Sequence, residues 1–185
     1  MKYILGKKLG MTTIYDNKGA LNVTLIECVS NKVSQIRTKE KDGYSAVQVE
    51  IDKTKNTKFK KEFIVDEKNE IKAGDEIKID IFELGDTVKV SGITKAKGFQ
   101  GVMKRHGFKG SPKTHGRKHD WRAPGSIGAG YPEHVIKGKR MAGRMGGKRA
   151  STRNLKIVYI DKEKKLLGVK GAVPGVNGRV VEIKG

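Results

Sequence analysis

Hydrophobic and polar residues alternate in short runs along the first half of the chain, at the period of two that turns one face of a β-strand toward a core. Over residues 21–29 the alternation places Leu21, Val23 and Leu25 on one face, and over residues 44–51 it sets Val47, Val49 and Ile51 opposite Gln48 and Glu50. Residues 76–81 repeat it, with Ile77, Ile79 and Ile81 facing away from Lys78 and Asp80, and Val88 and Val90 carry it on. Asp16-Asn17-Lys18-Gly19, Asp42-Gly43 and Gly74-Asp75 separate these runs with residues that suit tight turns and positive φ. Residues 53–70, rich in Lys, Glu and Asn, are predicted to be a solvated loop or a short helix.

The strand pattern stops after residue 93 and returns at residues 155–160, 166–170 and 179–183. Strands on both sides of an insert without core residues predict one β-domain, residues 1–93 with 155–185, and an excursion over residues 94–154. A small closed antiparallel barrel fits, because closure removes the edges of many short strands, and a sandwich is the alternative. Phe99, Val102 and Met103 have the i, i+3, i+4 spacing of one or two helical turns. Beyond them glycine or proline recurs at 107, 110, 112, 116, 124, 125, 128 and 130, which predicts extended backbone with tight bends. If residues 109–149 double back as an arm, each limb has about 20 residues and reaches at most about 65 Å.

Charge gives the excursion its meaning. Residues 94–154 hold 16 Lys or Arg against Asp120 and Glu133, and so supply +14 of the chain's +20. They also hold 12 of the 24 glycines, three of the four prolines, every histidine and the single tryptophan. So basic and aliphatic-poor a segment buries too little apolar surface to offset its ordering entropy, and is expected to be shaped by a polyanion. Nucleic acid is the polyanion that its composition favours. The phosphate-binding candidates are Lys95, Lys97, Lys104, Arg105, Lys109, Lys113, Arg117, Lys118, Arg122, Lys137, Lys139, Arg140, Arg144, Lys148, Arg149 and Arg153. His106, His115, Trp121 and Tyr131 add rings on which bases can stack. An irregular arm without a recognition helix suits folded RNA better than a regular DNA groove.

Other chemistries are poorly provided for. His115 and His119 have the spacing of half a zinc site, but no second ligand pair accompanies them, so no metal or other cofactor is expected. Asp120 and Glu133, two carboxylates in a cationic segment, read as charge balance and not as an acid–base pair, so no enzyme and no small-molecule substrate are expected. The glycine-rich stretches around Lys139 and Lys148 lack P-loop spacing. Cys28 has no partner for an intramolecular disulfide, and no apolar run approaches a membrane span or a secretory signal, so a cytoplasmic protein without a membrane partner is expected.

Five ordered motifs carry a resemblance: Gly6-Lys7-Lys8-Leu9-Gly10-Met11-Thr12, the run from Thr94 to Arg105 containing Lys97-Gly98-Phe99-Gln100-Gly101, Pro124-Gly125-Ser126-Ile127-Gly128, Lys137-Gly138-Lys139-Arg140-Met141-Ala142-Gly143, and Val169-Lys170-Gly171-Ala172-Val173-Pro174-Gly175. Together they resemble the bacterial type of large-subunit ribosomal protein three. The resemblance implies a six-stranded, translation-factor-like barrel whose arm threads through large-subunit ribosomal RNA toward the peptidyl transferase centre. It also implies early binding in subunit assembly, neighbouring large-subunit ribosomal proteins as partners, and no homo-oligomer. The arm tip would then be Gly125, Ser126, Ile127, Gly128, Gly130 and Tyr131. Where relatives commonly carry a methylatable glutamine this chain has Arg144, so that modification is expected to be absent. Trp121 stands where relatives often have histidine. A free-standing RNA chaperone or regulatory module is the alternative function.

Overall fold

A computed structural model describes residues 2–16, 19–54, 56–65 and 71–185. Their strands are β1 (Tyr3–Asp16), β2 (Gly19–Glu27), β3 (Asn31–Arg37), β4 (Ala46–Thr54), β5 (Thr57–Ile64), β6 (Glu76–Ile77), β7 (Thr87–Ile93), β8 (Phe99–Gln100), β9 (Gly143–Arg144), β10 (Arg149–Asp161), β11 (Leu166–Lys170) and β12 (Val180–Lys184). Two short helices, α1 (Lys39–Asp42) and α2 (Val102–His106), complete the regular structure apart from one 3₁₀ turn. The chain divides into two compact units, Met1–Thr94 with Arg149–Gly185, and Lys95–Lys148.

The first unit is mainly β, as its alternating runs predict. Six strands form an antiparallel sheet in the order β1-β12-β7-β10-β11-β2, and β2 pairs again with β1. The long β1 completes this circuit by dividing its length: Tyr3–Lys7 pair with β12, Lys7–Asp16 pair with β2, and the two ladders share only Lys7. This departs from a barrel in which every strand is flanked along its whole length. Near the division Gly6 is packed so closely that a Cβ would lie 2.5 Å from Ile26 Cγ2, which excludes any larger residue there without movement.

Along β1 alternate side chains serve two cores. Ile4 joins Ile26, Val88, Val90, Ile157, Leu167, Val169, Val181 and Ile183 inside the six-stranded sheet. Tyr3 and Leu5, on the opposite face, pack with Val33, Val47, Val49 and Ile51 of a second sheet, ordered β5-β4-β3-β6. The predicted face of Val47, Val49 and Ile51 is buried as a set. On β2, however, Ile26 enters the core, while Leu21 and Leu25 are only half-buried beside a buried Val23.

Three expected elements are corrected. Residues 57–64, expected as loop or short helix, are strand β5, while residues 66–70 of that stretch lie outside the described residues. Phe59 and Phe63 do alternate there, but the lysines between them obscure the period; Lys58 and Lys60 reach Glu50 on β4 at 2.6 and 3.6 Å. The expected strand over residues 76–81 ends at Ile77, and a 3₁₀ turn (Ile79–Ile81) carries the chain from one core to the other, so that a half-buried Ile77 packs against one cluster and a buried Ile79 belongs to the other. The returning strand begins at Arg149 and not at residue 155, because a register shift between Thr152 and Leu155 and a φ of 57° at Asn154 break its alternation. Arg149 and Arg153 therefore belong to a strand of the first unit. The Asn17-Lys18 part of the first turn lies outside the described residues.

Candidate nucleic-acid interface

Residues 95–148 contain fourteen Lys or Arg and two acids, and Val102 is the one residue among them that is buried. Hydrophobic burial therefore cannot hold this unit together, and its shape comes from backbone pairing and local caps. At its base β8 and β9 pair Phe99 with Arg144 and Gln100 with Gly143. The ladder is extended by Lys97 N–H donating to Met145 O and Met145 N–H donating to Gly98 O, each at 2.9 Å. Gly146 follows with φ of 73°, and a Cβ on it would fall 2.0 Å from Lys95 O, so this crossing of the two limbs requires glycine.

The expected helical turns form as α2, with Val102 inward and Gly107 closing the helix at φ 75°. Phe99 is not on that helix. It sits in β8 and is 77% exposed, with the exposed Arg144 as its cross-strand partner. Such a pair offers a stacking face and a bidentate phosphate donor at one place. Arg105 and His106 are only half-buried and are already engaged: Arg105 Nη1 and His106 Nε2 both donate to Met141 O, at 2.6 and 3.1 Å. They tie the outgoing limb to the returning one.

Trp121 is half-buried, with Lys113 Nζ 4.8 Å and Arg122 Cζ 5.4 Å from its ring centroid. Its carbonyl accepts from Ser111 N–H at 3.1 Å, while Arg117 bridges Ser111 Oγ and Asp120 Oδ2. This explains why Asp120 occurs in so basic a stretch: it fixes Arg117 and the bend beside Trp121. The remaining candidates in this unit, Lys95, Lys97, Lys104, Lys109, Lys113, His115, Lys118, Arg122, Tyr131, Lys137, Lys139, Arg140, Arg144 and Lys148, are exposed. Gly125 to Tyr131 are all exposed too, with a Ser126 Oγ bond to Gly128 O at 2.8 Å and Tyr131 at 88% exposure. Among the described residues no three His, Cys, Asp or Glu side chains come together as a metal site, and no helix is long and apolar enough to cross a membrane.

A two-unit β protein whose smaller unit turns nearly all its cations outward is equipped to meet a polyanion over a broad, irregular surface. Comparison with known proteins makes the class specific. Residues 18–168 match the family Ribosomal protein L3, and the chain belongs to that family. It is 45% identical to the large ribosomal subunit protein uL3 of Chloroherpeton thalassium, over 99% of this chain and 98% of that one. The uL3 of Leifsonia xyli is 48% identical over 98% of this chain and 92% of its own, and that of Finegoldia magna 44% identical over 100% and 97%.

Proposed function

We propose that this chain is a structural constituent of the large ribosomal subunit and that residues 95–148 bind ribosomal RNA. In this reading it joins the subunit early in assembly, beside other ribosomal proteins, and sends residues 109–149 toward the peptidyl transferase centre with Gly125 to Tyr131 at the tip. The observation that carries the reading is the outward display of thirteen of fourteen basic residues on a unit with a single buried side chain, in a member of this family. Lys and Arg would offset phosphate repulsion, glycines would let the backbone approach, and Trp121, Tyr131 and Phe99 would take stacked bases. Arg144 would supply a direct phosphate contact.

The test is binding of the full chain to large-subunit ribosomal RNA across a salt series. The logarithm of affinity should fall linearly with the logarithm of salt, losing about 10³-fold or more between 50 and 200 mM if six or more phosphates are engaged. Binding indifferent to salt would refute the mechanism. Co-sedimentation separates this role from a free-standing RNA chaperone, since a constituent stays with the large subunit at about one copy through a high-salt wash.

A further inference from the structure

On the six-stranded sheet, the outward face of β7, β10 and β12 is charged, whereas its inward face is apolar. Val88, Val90, Val181 and Ile183 fill the core, which turns Lys89, Ser91, Glu182 and Lys184 outward. Strand β5 lies over part of this face and leaves two adjoining cavities of about 240 and 670 Å³. Both are lined by Lys61, Arg149 and Glu182; the smaller adds Lys89 and Lys184, the larger Arg179.

Glu182 is fully used within this cleft. Arg149 Nη2 bonds its Oε2, and Lys61 Nζ lies 3.7 Å from its Oε1. The other acid of the lining, Glu62, is engaged by Arg37, Tyr44 and Gln48. Lys89, Lys184 and Arg179 have no carboxylate within ion-pair distance among the described residues. Moreover Lys184 and Lys89 are direct cross-strand partners in the β12–β7 ladder. Like charges placed opposite each other cost stability, and the cost is removed when an anion sits between them. The larger cavity, which shares Lys61, Arg149 and Glu182 with the smaller, adds apolar groups beside Arg179: Phe59, Ile93 and Val176, the last two 38% and 40% exposed.

We propose that the cleft between β5 and the outer face of β7 and β12 is a second RNA site, separate from residues 95–148. Lys89, Lys184 and Arg179 take phosphodiester groups, and Phe59, Ile93 and Val176 take the face of a base. Arg149 and Lys61 hold Glu182 neutralised so that the cleft stays cationic. An acidic peptide would satisfy the charges but would leave the apolar wall unused. The proposal rests on the reading of the chain as an RNA-binding protein.

The experiment uses the full chain and three variants: Lys89→Gln with Lys184→Gln, Arg179→Gln, and an arm variant with Arg140→Gln and Arg144→Gln. Binding to a large-subunit ribosomal RNA fragment is measured over a salt series, with unfolding temperature as the check of folding. The double lysine variant should bind about tenfold more weakly at moderate salt, with a salt slope shallower by about 1.5, and its losses should add to those of the arm variant. Its unfolding temperature should be unchanged or higher, because a repulsive pair is gone. Arg179→Gln gives the same direction from a loop position. Wild-type affinity and slope in both cleft variants, with losses confined to the arm variant, would overturn the cleft and leave the proposed function standing. Salt-independent binding by the wild type would overturn both. Displacement of the RNA from the cleft by polyglutamate at equal charge would overturn the assignment to RNA.

Discussion

Asn31 is the residue on which the long first strand depends most, and its replacement by alanine has a calculable cost. Over Tyr3–Gly6 strand β1 has β12 on one side, but β2 does not reach the other, where its ladder ends at Lys7. Fully buried, the Asn31 carboxamide takes that place: Oδ1 accepts from Leu5 N–H at 2.8 Å, and Nδ2 donates to Leu5 O at 2.9 Å and to Val29 O at 2.7 Å. Asn31→Ala removes three bonds and leaves three backbone groups without them. At about 1 kcal/mol net for each bond the loss is about 3 kcal/mol. With a urea m-value near 2 kcal/mol/M the unfolding midpoint should drop by about 1.5 M. Asn31→Asp is the informative control. Its carboxylate still accepts from Leu5 N–H but faces two carbonyls and is buried as a charge, so at neutral pH it should be worse than alanine. Burial raises such a carboxyl's pKa, so acidification should restore part of the loss as protonation returns a donor. A midpoint shift under about 0.3 M for Asn31→Ala would refute the claim that this side chain stands in for a strand.

Two further outcomes follow from local geometry. Gly146→Ala should abolish amide protection at Lys97 and Met145 without moving the main unfolding transition, since its Cβ would meet Lys95 O at 2.0 Å at a φ that costs about 1–3 kcal/mol in a non-glycine residue; retained protection would disprove the close crossing. The Lys2–Asp86 bond of 2.6 Å holds the Asp86 carboxyl below its ordinary pKa, chiefly through Lys2 and then through Glu83 N–H, and holds Lys2 above its own. Its stabilisation is therefore present above about pH 4, is lost as pH falls through the lowered Asp86 value, and is lost again as pH rises through the raised Lys2 value. A double-mutant cycle with Lys2→Met and Asp86→Asn should show coupling at pH 7 and none at pH 2.

The legible parts of the fold were those in which pattern and burial coincide. Val47, Val49, Ile51, Val88 and Val90 alternate in sequence and are buried in the structure. Strand β5 was hidden because its outward positions are lysines that pair with Glu50, and composition alone reads as solvent. The start of β10 was hidden because an irregular register at residues 152–155 interrupts the period. The strand face of Val47, Val49 and Ile51 was legible, but not that it belongs to a second sheet. Nothing local says that Tyr3 and Leu5 face a different partner from Ile4; that follows only from the division of β1 between two ladders. In the basic unit, charge and glycine content point to a polyanion partner, which belongs to the proposed function, but give no sign that Arg105 and His106 are spent on Met141 O.

With two acids among residues 95–148, at most two of the basic unit's fourteen cations can be matched one to one within the unit, and Arg117 already takes Asp120. The uncompensated charges repel over about 10 Å at 0.1 M salt, with one buried side chain to oppose them. What resists the repulsion is the β8–β9 ladder, the Arg105–Met141 bridge and the bend around Trp121, all of them backbone-directed contacts at intervals along the two limbs. Between these ties the residues from Arg122 to Arg140 have few bonds of their own. The unit is therefore fixed where its limbs cross and least constrained around Tyr131, in a stretch without cations that is flanked by Arg122 on one side and Lys137, Lys139 and Arg140 on the other, so under the proposed function a phosphate-rich partner would order the outer part from these flanks without rearranging the base.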